Sequence, residues 1–120
     1  MVPRMKKPLI TLAAIALLAV VVYAADLSGT WIATVQTDAG NGTPTFVLKQ
    51  DGEKLTGTYH GQFGDAPVTG TVKDSDVTIE FDVSGTKATY VGKVDSAGTK
   101  IEGTCDYGGQ AKGTFTATKK

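Results

Sequence analysis

The chain has 120 residues, of which 41% are hydrophobic and 20% charged, a composition that fits one globular domain and excludes a wholly disordered protein. Its 12 basic and 12 acidic residues balance, so no excess of positive charge points to nucleic acid. Cys105 is the only cysteine, which excludes an internal disulfide, and with a single histidine the sequence offers no metal cluster of a familiar type. We therefore expect neither a metal nor a cofactor.

The first two dozen residues have the layout of a secretory signal. A basic start precedes an apolar run over residues 9–22 and a small-residue cleavage motif that ends at Ala24. We expect residues 1–24 to be a signal peptide and residues 25–120 to be an exported domain, periplasmic or extracellular. The alternative is an uncleaved membrane anchor, because the apolar run approaches the ~17 residues that can span a bilayer.

Removal of the signal would also change the charge of the chain. Three of the 12 basic residues and none of the acidic ones would be lost, so the mature domain would carry a net charge of −3. Such a domain has no electrostatic footprint for nucleic acid or for an anionic membrane. We expect neither as a partner once the signal has been cleaved.

A five-residue pattern recurs along the rest of the chain: large apolar, polar, glycine, polar, large apolar. Its copies begin at Leu27, Leu55, Val68, Tyr90, Ile101 and, more weakly, Ala111. In a strand the first, third and fifth residues share one face, so each glycine lies between two inward side chains. We interpret these glycines as points where barrel strands bend and pack closely. The alternative is that they clear space for a ligand.

From Asp26 onward short alternating segments are separated by turn residues, which is typical of an all-β protein. We predict about eight antiparallel strands: residues 29–37, 43–50, 55–60, 68–73 and 77–83, then three that contain residues 90–94, 101–107 and 113–117. Short turns throughout favour an up-and-down meander. A closed barrel of eight strands has an interior that side chains just fill, or that holds one small ligand.

The interior of this predicted barrel supplies the candidate ligand-binding residues. They are Trp31, Thr37, Phe46, Tyr59, Phe81, Tyr90, Tyr107 and Phe115. Inward tyrosine hydroxyls need a partner or water, so we expect the tyrosines to line the mouth of any cavity, with a further polar contact from Gln50. The histidine and the strand carboxylates alternate outward: His60, Glu80, Asp82, Glu102 and Asp106. Because no acid or base faces inward, we do not expect an enzyme.

The start of the domain resembles the first three strands of the avidin and streptavidin family. The resemblance rests on residues 27–31 (LSGTW), on Phe46-Val47 and on residues 55–59 (LTGTY). More loosely, the glycine-x-tryptophan of the first strand resembles the lipocalins and other calycin barrels. The family resemblance implies that Trp31 closes the bottom of the barrel, and that Tyr59 matches a tyrosine that helps to bind the ureido oxygen of biotin.

Other positions argue against biotin itself. Ala33 stands where that family has an asparagine, and Gly61 where it has a serine after the tyrosine. The later tryptophans that wall the biotin site are missing, because Trp31 is the only tryptophan in the chain. The resemblance therefore supports the fold and not that ligand.

We expect a non-enzymatic binding protein that holds a small apolar or amphipathic ligand inside the barrel. A cavity of about 300 Å³ or more would favour this hypothesis. The alternative is a structural or protein-interaction module of the cell envelope with a closed, ligand-free core. One continuous outer patch of Ile32, Val47 and Val91 would favour that alternative, and could join copies of the chain through their barrel walls.

Overall fold

The computed structural model describes residues 26–120, and these form nine β-strands. The predicted signal peptide lies outside the described residues. The strands are β1 (Gly29–Thr37), β2 (Gly40–Gly42), β3 (Thr45–Asp51), β4 (Lys54–Gly61), β5 (Gly64–Lys73), β6 (Asp76–Val83), β7 (Thr86–Val94), β8 (Lys100–Tyr107) and β9 (Lys112–Lys119). None of the described residues belongs to a helix of the length and apolarity needed to cross a membrane.

Every strand pairs antiparallel with its neighbours, in the order β2-β1-β3-β4-β5-β6-β7-β8-β9, and β1 also pairs with β9. That last pairing, in which Ala33 faces Ala117, closes the sheet into a barrel. β2 is only a short hairpin arm that pairs with the end of β1, while β3 pairs with its beginning. The predicted closed meander of eight strands is confirmed, with β2 as an addition.

The structure corrects one predicted boundary. β5 begins at Gly64, four residues before the predicted start at Val68, and therefore includes Pro67. Proline lacks the N–H that a central strand needs, so the sequence around Pro67 favours a loop. β6 pairs with β5 only from Val68 onward, so the missing N–H leaves no bond to β6 unmade. Pro67 is exposed and lies opposite Thr58 of β4.

The core follows the predicted alternation. Trp31, Phe46, Tyr59 and Tyr90 are among the largest side chains that are almost fully buried. The clearest amphipathic strand is β6, where Val77, Ile79, Phe81 and Val83 are buried and the residues between them are exposed or half-buried. Among the described residues no charged side chain is buried, so packing of apolar side chains holds the interior together.

The glycines of the recurring pattern lie where neighbouring strands approach most closely. A Cβ added to Gly57 would overlap the carbonyl oxygen of Val47, and one added to Gly113 would overlap that of Gln36. The same holds on other strands, for Gly70, Gly92 and Gly103. In each case the carbonyl belongs to the adjacent strand, as expected for strongly coiled strands in a narrow barrel. This geometry supports the architectural interpretation of the pattern.

The apolar residues on the outer wall do not form one patch. Val47 and Val91 are 41% and 48% exposed, and Ile32 is half-buried. Val47 lies on β3 and Val91 on β7, with three strands between them in either direction around the barrel. They therefore face opposite sides, and the continuous patch that would have favoured an interaction module is not present on the described surface.

Candidate functional site

The two ends of the barrel differ, and one of them is closed. Residues 26–28 cross this end, and Leu27 is fully buried there. The backbone N–H of Leu27 donates to Oε1 of Gln50 at 2.8 Å, and its carbonyl accepts a hydrogen bond from Nε1 of Trp31 at 2.9 Å. Nζ of Lys119 donates to the carbonyl of Asp26 at 2.9 Å and lies 5.9 Å from the centre of the Trp31 ring. These contacts form a plug over the core.

The opposite end opens into a cavity of about 930 Å³, which we name the mouth cavity. The ends of β1, β4, β6 and β8 and the turns between the strands line it. Its volume falls within the range of ~300–1,000 Å³ that is usual for small-molecule sites. The neutral polar side chains of its rim include Gln36, Asn41, Gln62 and Gln110. No charged side chain within residues 26–120 lines it.

Tyr59 lies at the floor of the mouth cavity. Its ring stacks on Phe81, with ring centres 4.2 Å apart and planes 17° from parallel, which fixes its orientation. Tyr59 is only 1% exposed, and its hydroxyl lies over the bare backbone of Gly61, where a Cβ would overlap it. No group of the described chain forms a hydrogen bond with this hydroxyl. The Tyr59 hydroxyl is thus a buried, unpartnered polar group that lines a cavity.

A second pair of tyrosines lies beside it. The hydroxyls of Tyr90 and Tyr107 form a short hydrogen bond. Tyr90 is the more deeply buried of the two and has no other hydroxyl partner in the described chain, whereas Tyr107 lines the mouth cavity. The arrangement that satisfies both groups has Tyr90 donating to Tyr107. The proton of the Tyr107 hydroxyl is then free to point into the cavity.

The pKa values of these groups keep them uncharged. Burial, helped by the nearby Tyr107, raises the pKa of Tyr59 to about 12. Burial and the hydrogen bond to Tyr107 raise the pKa of Tyr90, and burial raises the pKa of Tyr107. Burial also raises the pKa of the Cys105 thiol. At neutral pH the site therefore contains phenol hydroxyls that can donate hydrogen bonds, rather than phenolates.

The eight predicted site residues fall into three groups along the barrel. Thr37, Tyr59 and Tyr107 line the mouth cavity. The aromatic cluster below it, with ring centres 4.9 to 5.6 Å apart, consists of Phe46, Phe81, Tyr90 and Phe115. Trp31 belongs to the plug of the closed end, where the family resemblance implied that it would lie.

The two predicted polar contacts, Thr37 and Gln50, both form hydrogen bonds within the protein. The Thr37 hydroxyl donates to the carbonyl of Gly40 at 2.7 Å and accepts from the N–H of Ala39 at 3.1 Å, so it builds the turn at the rim. Gln50 holds Leu27 at the closed end and does not line the mouth cavity.

Sequence reasoning missed the turns that complete the mouth. Phe63, in the turn between β4 and β5, is 51% exposed, and its ring centre lies 6.1 Å from that of Tyr107. The amides of Gln36, Asn41, Gln62 and Gln110 stand around the same opening. Gln62, Phe63 and Gln110 lie in turns, to which strand alternation assigns no inward face. Alternation along β1 turns Gln36 outward, and Asn41 belongs to β2, which the sequence pattern does not predict. A large aromatic residue between Gly61 and Gly64 was the one available signal.

The other candidates from the sequence lie outside the site. His60 points outward, as predicted, and its Nδ1 lies 3.0 Å from Oδ1 of Asp65 while Nε2 lies 3.1 Å from the hydroxyl of Thr58. Cys105 is buried in the core. Over residues 26–120 no group of three or more histidine, cysteine or acidic side chains is arranged to hold a metal ion.

Comparison with known proteins identifies the fold. The sequence matches no protein-family model and no curated protein. A redesigned β-barrel, b11L5F_LGL, has a TM-score of 0.65 at 16% identity, covering 78% of this chain and 91% of its own. A second redesigned β-barrel, mFAP0, solved with DFHBI bound, has a TM-score of 0.61 at 20% identity, covering 78% of this chain and 98% of its own.

A mutant of the fluorescent protein UnaG has a TM-score of 0.47 at 16% identity, covering 78% of this chain and 95% of its own. Identities this low concern the fold alone, and none of these structures points to the avidin family or to the lipocalins in particular. The described chain is a closed antiparallel β-barrel, and the two redesigned β-barrels share that fold.

Proposed function

We propose that the protein is a non-enzymatic binding protein that holds a small apolar or amphipathic ligand in the mouth cavity. The observation that carries this proposal is the asymmetry of the barrel: one end is plugged and the other opens into about 930 Å³. Aromatic rings form the floor of this space and neutral amides its rim, the usual composition of a small-molecule site. The redesigned barrel mFAP0 was solved with DFHBI bound, so a barrel of this kind can hold a small ligand.

The chemistry of the lining favours binding over catalysis. The ionisable side chains that face the interior of the described barrel are Tyr59, Tyr90, Tyr107 and Cys105. Burial raises the pKa of each, so all four stay protonated at neutral pH. A protonated phenol or thiol is a poor base and a poor nucleophile. It remains a good hydrogen-bond donor, which suits recognition.

A fluorescent probe and two tryptophan substitutions test the proposal. N-phenylnaphthylamine is an uncharged dye whose emission rises in apolar sites. We expect the wild-type protein to bind it at one site, and Ala111→Trp, which places an indole at the rim of the mouth cavity, to weaken binding at least about tenfold, or ~1.4 kcal/mol. The matched control is Ala97→Trp, at an exposed turn of the closed end, which should leave the affinity unchanged. Equal effects of the two substitutions would contradict the proposal.

We also propose that the protein is exported and that its signal is cleaved after Ala24. The support is the layout of residues 1–24, in which a basic start precedes an apolar run and a small-residue cleavage motif. Intact-mass measurement of protein from the periplasm or the culture medium should find a chain that begins at Ala25. Recovery of the uncleaved chain in the membrane fraction alone would support the anchor instead.

A further inference from the structure

We infer that the mouth cavity selects an uncharged aromatic ligand and that the hydroxyls of Tyr59 and Tyr107 together bind a carbonyl oxygen of that ligand. This inference rests on the proposed function and adds the chemical class of the ligand. Three independent features of the cavity carry it: the charges around it, the hydrogen-bond donors at its floor, and the rings that face it.

The charges around the mouth disfavour an anion. The lining contains no cation among the described residues, so a carboxylate or sulfonate placed there would be desolvated without a partner. The strand ends and turns at this end of the barrel carry more acid than base: Asp38, Asp65, Asp82 and Asp106 against Lys87 and Lys112. A cationic ligand gains nothing from direct pairing either, because none of these carboxylates lines the cavity. An uncharged ligand avoids the desolvation cost of an anion and needs no charged partner in the lining.

The floor of the cavity offers hydrogen-bond donors, so it suits a ligand that carries a hydrogen-bond acceptor. The Tyr59 hydroxyl is buried without a partner in the described chain, and a buried polar group left unpaired costs about 1–3 kcal/mol. In the arrangement that satisfies both groups, the more deeply buried Tyr90 donates to the Tyr107 hydroxyl, and the Tyr107 proton is then free. A carbonyl oxygen has two lone pairs and can accept from both tyrosines. A ligand hydroxyl could accept as well, but it would bring a proton that finds few acceptors at this floor.

The walls of the cavity favour a flat ring. Phe63 exposes half of its surface at the rim and meets the Tyr107 ring at an interplanar angle of 60°. Below them, Tyr107 lies edge-on to Phe81, with ring centres 6.3 Å apart. Ring faces and edges in this arrangement pack well against another aromatic ring. A ligand held here would also cover Phe63, the most exposed large hydrophobic side chain of the described surface.

Three naphthalene probes separate these features. Prodan is uncharged and has a ketone, N-phenylnaphthylamine is uncharged and has no carbonyl, and anilinonaphthalene sulfonate adds a negative charge to the same ring system. We expect the wild-type protein to bind both uncharged probes and to bind the sulfonate at least about tenfold more weakly, or ~1.4 kcal/mol. Equal or tighter binding of the sulfonate would overturn the preference for an uncharged ligand.

The Tyr59→Phe variant tests the hydrogen bond to the ketone. This change removes only the hydroxyl and keeps the ring that stacks on Phe81. We expect it to weaken prodan binding about five- to tenfold and to shift the emission of bound prodan to shorter wavelength, while N-phenylnaphthylamine binding stays unchanged. Thr58→Val, on the outer face of the same strand, should affect neither probe.

The possible failures of this experiment can be told apart. If no probe binds the wild-type protein, the proposed function fails and this inference fails with it. If the uncharged probes bind but Tyr59→Phe leaves prodan binding intact, or weakens both probes equally, only the donor role of Tyr59 is wrong. Retained affinity for N-phenylnaphthylamine in the variant also shows that it is folded.

Discussion

Replacing Trp31 with alanine is expected to lower the free energy of unfolding by about 4 kcal/mol, the usual cost of removing a large buried aromatic side chain. Trp31 is 1% exposed and carries the plug of the closed end. Its indole N–H is the donor to the buried carbonyl of Leu27, and Lys119 lies over its ring. The loss would therefore combine a cavity, an unpaired carbonyl and a loosened plug. Urea unfolding followed by circular dichroism measures it, since the variant lacks tryptophan.

A milder substitution separates these contributions. Trp31→Phe keeps an aromatic ring but removes the indole N–H, so the Leu27 carbonyl loses its partner and we expect a loss of about 2 kcal/mol. Because Trp31 does not line the mouth cavity, this variant should bind N-phenylnaphthylamine within twofold of wild type. A large loss of affinity in folded Trp31→Phe would show that the ligand reaches the closed end. If Trp31→Ala lowers the free energy of unfolding by less than about 1 kcal/mol, the claim that Trp31 carries the plug of the closed end is wrong.

The fold could be predicted from the sequence because one physical rule governs most of it. Residues on a strand alternate between core and solvent, and a narrow barrel has only one inside. The alternation of β6, with Ile79 and Phe81 inward and Glu80 between them, reads directly from the sequence and is what the structure shows. The boundary error at β5 arose where the rule for proline assumes a strand paired along its whole length. Pro67 lies beyond the reach of β6.

The candidate site could be predicted only in part, for a related reason. Alternation identifies which side chains face inward but not how far along the barrel axis each one lies. Tyr59 and Trp31 are both inward, yet one lies at the mouth cavity and the other at the closed end. That difference depends on strand register and on the segment around Leu27, neither of which a local pattern contains. Gln62, Phe63 and Gln110 lie in turns, where no periodic pattern applies, and Asn41 lies in β2, which the sequence pattern does not predict.

The two ends of the barrel have different physical roles. Tryptophan, leucine and a chain of hydrogen bonds close one end, and the aromatic cluster fills the middle, so much of the apolar packing lies away from the mouth. The mouth can then carry features that cost stability, such as the unpartnered hydroxyl of Tyr59 and the exposed ring of Phe63. Placing unfavourable features at one end of a well-packed scaffold is what a binding site requires.

Gly57→Ala is expected to destabilise the protein by about 3 kcal/mol, at the upper end of the usual cost of overpacking. The new methyl group would overlap the carbonyl oxygen of Val47 on β3, which is backbone and cannot rotate away. Accommodation would need β3 and β4 to separate, against the register in which Gly57 faces Leu48. Urea unfolding of the variant beside wild type measures the difference.

The matched control is Gly42→Ala, whose new methyl group would have its nearest neighbour, Nε2 of Gln62, at 3.9 Å. There the added methyl fits, and alanine restricts the unfolded chain, so we expect anything from no change to a gain of about 1 kcal/mol. If both variants lose the same stability, the cost lies in replacing glycine as such and not in the close approach of strands. A loss confined to Gly57→Ala would show that this position requires glycine, for its φ of +157° as well as for the close approach of β3.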